Sequence, residues 1–124
     1  MFLAGLIHFY WALGGRKFAD AVLPERADGG KLFRPSAVGT ITVGAVLCAV
    51  AFSCVLPIFV GGLQFFWIRT VFAVIFFARF VGEFRYVGLF KKYRQSDFAK
   101  YDTLIYSPLS LLFSFSCFLS VLYF

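Results

Sequence analysis

Charge is scarce in this chain: 15% of its 124 residues are Asp, Glu, Lys or Arg, while 61% are apolar and 22% aromatic. A water-soluble domain of this size has too little interior to hide that much Phe, Leu and Val. Left on a wetted surface, they would drive aggregation. Histidine is nearly absent. With His8 alone, neither bis-histidine haem ligation within one chain nor a three-histidine metal site can be built. Cysteine is sparse too. Cys48, Cys54 and Cys117 have no C-x-x-C spacing and are odd in number, which argues against a thiol–disulfide relay or a disulfide framework. They read as small buried hydrophobes. No nucleotide loop, metal cluster or activated nucleophile is visible, so no catalytic residue, cofactor or metal is assigned.

What the chain does have is long apolar runs. Ser36–Leu56, Leu63–Gly82 and Thr103–Phe124 are each long enough to cross a bilayer as a helix. Met1–Leu13 is also apolar but reaches only about 20 Å, short of a hydrocarbon core of about 30 Å. It has no positive n-region and no small-residue cleavage pattern, so it reads as a first membrane helix that is short, tilted or trimmed at its start rather than a secretory signal. The expectation is an all-α, four-helix integral membrane bundle forming one domain.

Two polar loops, Gly14–Pro35 and Glu83–Asp102, separate these runs, and the uncharged segment Pro57–Gly62 reads as a tight turn. The net charge of +6 is concentrated in the loops, with Arg16, Lys17, Arg26, Lys31 and Arg34 in one and Arg85, Lys91, Lys92, Arg94 and Lys100 in the other. Such clusters invite a nucleic-acid reading. Short basic segments between apolar spans are better explained as cytoplasmic loops, so nucleic acid is rejected. Both termini then lie on the non-cytoplasmic side of a multi-pass inner-membrane protein.

Helices associate in lipid through small residues. Thr40, Gly44, Cys48 and Ala51 form one such stripe, and Ser107, Ser110, Ser114 and Cys117 another. The serines read as packing groups that bond back to helix carbonyls.

Ionisable groups gather at one end of the spans. His8, Tyr10, Trp11, Arg79, Glu83, Arg85, Asp102 and Tyr106 fall in one layer near the cytoplasmic surface if the helices bundle. Such groups are costly at membrane depth unless paired or watered, which makes the layer a candidate polar site. The competing reading is structural. Arg79 would snorkel and pair with Glu83 four positions on, while Asp102 caps the helix that it opens. His8 is expected to be a hydrogen-bonded histidine held by Glu83 or Asp102. Tyr10 and Trp11 fit interfacial anchors. Ser107-Pro108 marks either a new helix start or a kink. Arg69, outside the layer, could reach the far interface, pair with a partner subunit or hold an anion; the first is favoured.

Three stretches carry a resemblance: HFYWALGG at His8–Gly15, ARFVGEFRYVGLFKK at Ala78–Lys92 and FAKYDTLIYSPLSLL at Phe98–Leu112. Together they resemble a bacterial family of small integral membrane proteins known as domain of unknown function 3995. The resemblance spans nearly the whole chain and implies a four-helix membrane protein; no activity comes with it. The family pattern has an aspartate where this chain has Glu83, and a longer first helix.

Two functional classes follow. The favoured one is a non-catalytic accessory or structural subunit, packed against itself as a homo-oligomer or against other membrane subunits and binding membrane lipids. The alternative is a small transporter or membrane enzyme acting on an anionic small molecule or lipid headgroup at the cytoplasmic face. There, Arg79 and Arg85 would hold the anion, and Glu83, His8 or Asp102 would move protons. A small multidrug exporter is disfavoured, since such exporters use an acidic residue in the first helix and Met1–Leu13 has none.

Overall fold

A computed structural model describes residues 1–56, 59 and 63–123, and among them it contains helices and no strand. The expected turn over Pro57–Gly62 lies outside the described residues except for Phe59, and so does Phe124, the last residue of the expected span Thr103–Phe124. The helices are α1 (Phe2–Ala12), α2 (Ala37–Val55), α3 (Phe66–Val81), α4 (Asp97–Tyr101) and α5 (Ser107–Tyr123). A π-helical turn, Asp102–Tyr106, joins α4 to α5, so the last three elements run as one rod. Four helical rods result. Three segments are apolar and long enough to span a bilayer: Ala37–Val55, Leu63–Val81 and Asp97–Tyr123, of 19, 19 and 27 residues. The 11 residues of α1 rise only about 16 Å.

The ends of these helices have local causes. Ser36 follows Pro35 and its Oγ accepts the Gly39 N–H at 3.0 Å, an N-cap that starts α2. Ser96 does the same for α4, accepting from Ala99 N–H at 3.0 Å. The final rod therefore starts at Asp97 rather than Thr103, and Asp102 sits inside it instead of capping its first turn. At Ser107, α5 follows the π turn without a break in the rod. The ring of Pro108 would meet the Leu104 carbonyl in a regular α-helix, and the preceding turn widens to a π turn in which Ser107 N–H bonds to the Asp102 carbonyl.

The rods associate as two pairs, α1 on α2 and α3 on α5, with fewer contacts between the pairs. In the first pair the crossing is set by glycine. A Cβ on Gly5 would lie 2.8 Å from the Gly44 carbonyl oxygen and 2.6 Å from Cys48 Sγ, so the backbones meet where a larger residue would part them. In the second pair the serine stripe is buried: Ser107, Ser110, Ser114, Cys117 and Ser120 all face inward. Ser114 Oγ donates across to the Ala73 carbonyl at 2.7 Å, and Ser110 Oγ donates back to Tyr106 at 2.8 Å. The two small-residue stripes thus serve different partners.

Arg69 ties the other end together and is fully buried, so it does not reach out to an interface. It bonds the Ser120 carbonyl and hydroxyl, and Ser120 Oγ reaches the Cys54 carbonyl at 3.1 Å, linking α3, α5 and α2. Many of the large apolar side chains that remain exposed, such as Val38, Val74, Leu104 and Leu112, lie on the helix faces, as a lipid-facing surface requires, while Phe18, Phe33, Phe84 and Phe90 are exposed in the loops.

Candidate functional site

Asp102 is the centre of the polar layer. Its side chain is completely buried and takes hydrogen bonds from three separate parts of the chain. Arg79 Nη2 donates to Oδ1 at 2.8 Å; Lys91 Nζ and Gly88 N–H donate to Oδ2 at 3.1 and 2.8 Å. The π turn brings Ser107, five residues on, over the same carboxylate, with Oγ 3.4 Å from Oδ1. A buried carboxylate must be paired and hydrogen-bonded, and here it is both.

The loop after α3 is shaped to reach it. Gly82 ends α3 with φ +81, and Gly88 has φ +92. The two stack backbone to backbone: a Cβ on Gly88 would sit 2.4 Å from Gly82 Cα, and one on Gly82 would sit 1.9 Å from the Val87 carbonyl oxygen. Both positions need glycine for conformation and for space. The fold-back is fastened by Leu89 N–H to the Phe80 carbonyl at 2.8 Å. It carries Lys91 inward, where Nζ also meets Thr103 Oγ1 at 2.6 Å and the Gly88 carbonyl at 3.0 Å.

This reversal corrects the expected pairing. Glu83 does not meet Arg79, because the helix ends at Val81 and the spacing of four no longer shares a face. Glu83 Oε1 instead accepts Tyr86 N–H at 2.7 Å on the exposed side of the loop. Arg85 is exposed as well, with its guanidinium 5.1 Å from the Tyr86 ring centroid. Tyr10 is exposed and lies over Gly15. These three stand apart from the Asp102 cluster.

The remaining candidates converge on a cavity of about 610 Å³ between the two helix pairs. His8 and Trp11 of α1, Thr40 and Val43 of α2, Phe76 and Arg79 of α3, Tyr106, and Leu109, Ser110 and Phe113 of α5 line it. Ala19, Val22, Leu23 and Phe33 of the first loop close one end. Tyr106 OH donates to Ala21 in that loop at 3.3 Å, which places both basic loops at the same end of the bundle.

Most polar groups on the wall are already engaged. His8 Nδ1 donates to the Ala4 carbonyl at 2.7 Å, one turn back in its own helix, so neither Glu83 nor Asp102 holds it. The same ring packs edge-on against Trp11. Trp11 Nε1 donates to the Lys17 carbonyl at 2.9 Å, and Thr40 Oγ1 donates to Ser36 at 2.9 Å. Arg79 is the exception. Among the described residues its Nη1, which has no accessible surface, has no hydrogen-bond partner, while Nη2 is held by Asp102 and the side chain as a whole is a third exposed.

Among the described residues, no group of three or more His, Cys, Asp or Glu is gathered to hold a metal ion. The site combines an apolar volume, one fixed positive charge on its wall and a buried ion cluster behind that charge. Sequence reasoning missed Lys91, which looked like any other basic loop residue. The Gly82 and Gly88 spacing around a short loop was the available signal that the chain turns back there.

No curated protein and no solved structure matches this chain. A family model described as protein of unknown function (DUF3995) matches residues 1–117, and the chain belongs to that family.

Proposed function

We propose that this is a non-catalytic membrane protein that holds a lipid-like amphiphile between its two helix pairs, acting as an accessory or structural subunit. The observation that carries this reading is the cavity: about 610 Å³, with a mostly apolar wall that includes Ile7, Val43, Leu47, Phe76, Leu109 and Phe113. Ligand sites of about 300–1,000 Å³ are apolar with a few placed polar groups, and this one has that make-up. Its position between loosely joined pairs gives a chain from the surrounding bilayer a short route inward.

The same reading orients the protein. Five basic residues in each long loop favour the cytoplasmic side for that end of the bundle, with both termini opposite, in a bacterial inner membrane. The cavity then opens near the cytoplasmic leaflet. A second reading, a transporter or membrane enzyme for an anionic small molecule, draws on Arg79 at the cavity wall.

Purification in a mild detergent followed by native mass spectrometry tests the proposal. The expected result is retention of a lipid-sized mass that is lost in Val43→Trp, which fills the cavity. A chain that carries no lipid-sized mass, even when purified directly from native membrane into nanodiscs, contradicts it.

A further inference from the structure

We infer that the amphiphile held in this cavity carries an anionic headgroup, a carboxylate or phosphate, bound by the Arg79 guanidinium at the cavity wall. The inference rests on the cavity reading above and adds the chemistry of the head.

Charge balance is the first observation. Arg79 and Lys91 both bond to Asp102, and among the described residues no other carboxylate pairs with either. Two cations share one anion, which leaves a positive charge uncompensated beside an apolar volume. An isolated charge at membrane depth costs several kcal/mol unless something neutralises or solvates it. A bound anion does both.

Hydrogen-bond accounting is the second, and it is independent of charge. His8, Trp11, Thr40, Tyr106 and Ser110 each already donate to a backbone carbonyl. Among the described residues Arg79 Nη1 has no acceptor. A buried donor left unmade is expensive, and a guanidinium is suited to planar oxyanions. Nη1 has no accessible surface in this structure, so a ligand oxygen reaches it only when the guanidinium turns about the arm that Asp102 holds.

The apolar wall selects the source of the anion. A free phosphate would satisfy Arg79 but leave the cavity without apolar contact, whereas a lipid with one charged end fills both requirements.

Trp11 supplies a reporter, because it lines the cavity while Trp67, the other tryptophan, is 73% exposed and not among the lining residues. In a Trp67→Phe chain reconstituted in nanodiscs, quenching of Trp11 is measured with chain-brominated oleate, lysophosphatidate and oleyl alcohol. The Val43→Trp position is replaced by Val43→Phe as the filled control, which introduces no second indole; quenching that survives in it is subtracted as contact from the bilayer. The expected result is half-quenching by both anionic amphiphiles at a concentration at least tenfold below that of the alcohol. In Arg79→Gln that preference disappears while the alcohol still quenches, showing that the cavity persists. Equal quenching by all three amphiphiles in the unfilled chain overturns the anionic head and leaves the cavity reading standing. Failure of all three to exceed the filled control overturns the cavity reading itself. Inorganic phosphate that displaces the brominated anions at equal concentration overturns the role of the chain. The headgroup comparison in the unfilled chain decides the inference even if Arg79→Gln does not fold.

Discussion

Lys91 Nζ lies 3.1 Å from Asp102 Oδ2, and neither side chain is exposed at all. A lysine from a polar loop thus ends up inside the helix bundle, meeting a carboxylate near the start of the longest helical rod. Arg79 shares that carboxylate from a third element. The three residues fasten the second basic loop to α3 and to the α4–α5 rod, and their charges do not cancel.

That imbalance ranks the consequences of removing each partner. Asp102→Ala leaves Lys91 fully buried without its carboxylate, beside a part-exposed Arg79, and is expected to cost about 3–5 kcal/mol, as when a buried pair loses one member. Lys91→Met leaves Asp102 balanced by Arg79 and still bonded to Gly88 N–H, so its cost is expected to be smaller. Unfolding in mixed detergent micelles, monitored by circular dichroism, reads the order directly. A larger loss for Lys91→Met would contradict the cluster as described.

Glycine at position 88 is needed for space as well as conformation. Gly14 has a similar φ, +96, but nothing lies within 4 Å of a Cβ built there. Gly14→Ala should therefore cost only the conformational penalty, about 1–2 kcal/mol. Gly88→Ala must also displace Gly82, and is expected to cost markedly more and to expose the Lys91 side of the loop to proteolysis. Comparable melting temperatures for the two variants would argue against the backbone stack.

The α1–α2 crossing allows a test of which atom sets the limit. A Cβ on Gly5 meets both Cys48 Sγ and the Gly44 carbonyl. Gly5→Ala is expected to destabilise by about 1–3 kcal/mol, the range for overpacking. Adding Cys48→Ala relieves the sulfur but not the carbonyl, so rescue should be partial. Full rescue in a double-mutant cycle would show that the backbones are not in contact.

Ser114 is expected to matter less. Its bond to the Ala73 carbonyl joins α3 to α5, but such interhelical bonds average about 0.6 kcal/mol in membranes and reach about 1.7. Ser114→Ala should fall within that range in the same unfolding assay.

Much of the fold was legible because hydropathy reports lipid exposure without knowledge of contacts. The three long spans follow from apolar length alone. The nearness of His8, Trp11, Arg79, Asp102 and Tyr106 followed from depth along the helices. Pairing did not. Arg79 was matched to Glu83 by helical spacing, a rule that fails once Gly82 turns the chain, and the true partner is 23 residues away. Asp102 looked like a cap because Asp97–Tyr101 is too polar to register as membrane helix, although Ser96 is an N-cap residue in the right place. Lys91 was hidden because a basic loop residue is solvated in most settings, and only the glycine fold-back draws it in. The π turn answers a clash with Pro108 that could equally have been resolved by a break or a kink.

The account depends above all on a bilayer crossing in which both basic loops share one face. Thiol labelling tests this in intact cells, with Cys48, Cys54 and Cys117 replaced by alanine and a single cysteine placed at Asp28 or at Gln95, both exposed loop positions. An impermeant maleimide is expected to leave both positions unlabelled until the membrane is opened, and then to label both. Labelling of one position from outside and the other only after lysis would contradict the fold and the site built on it.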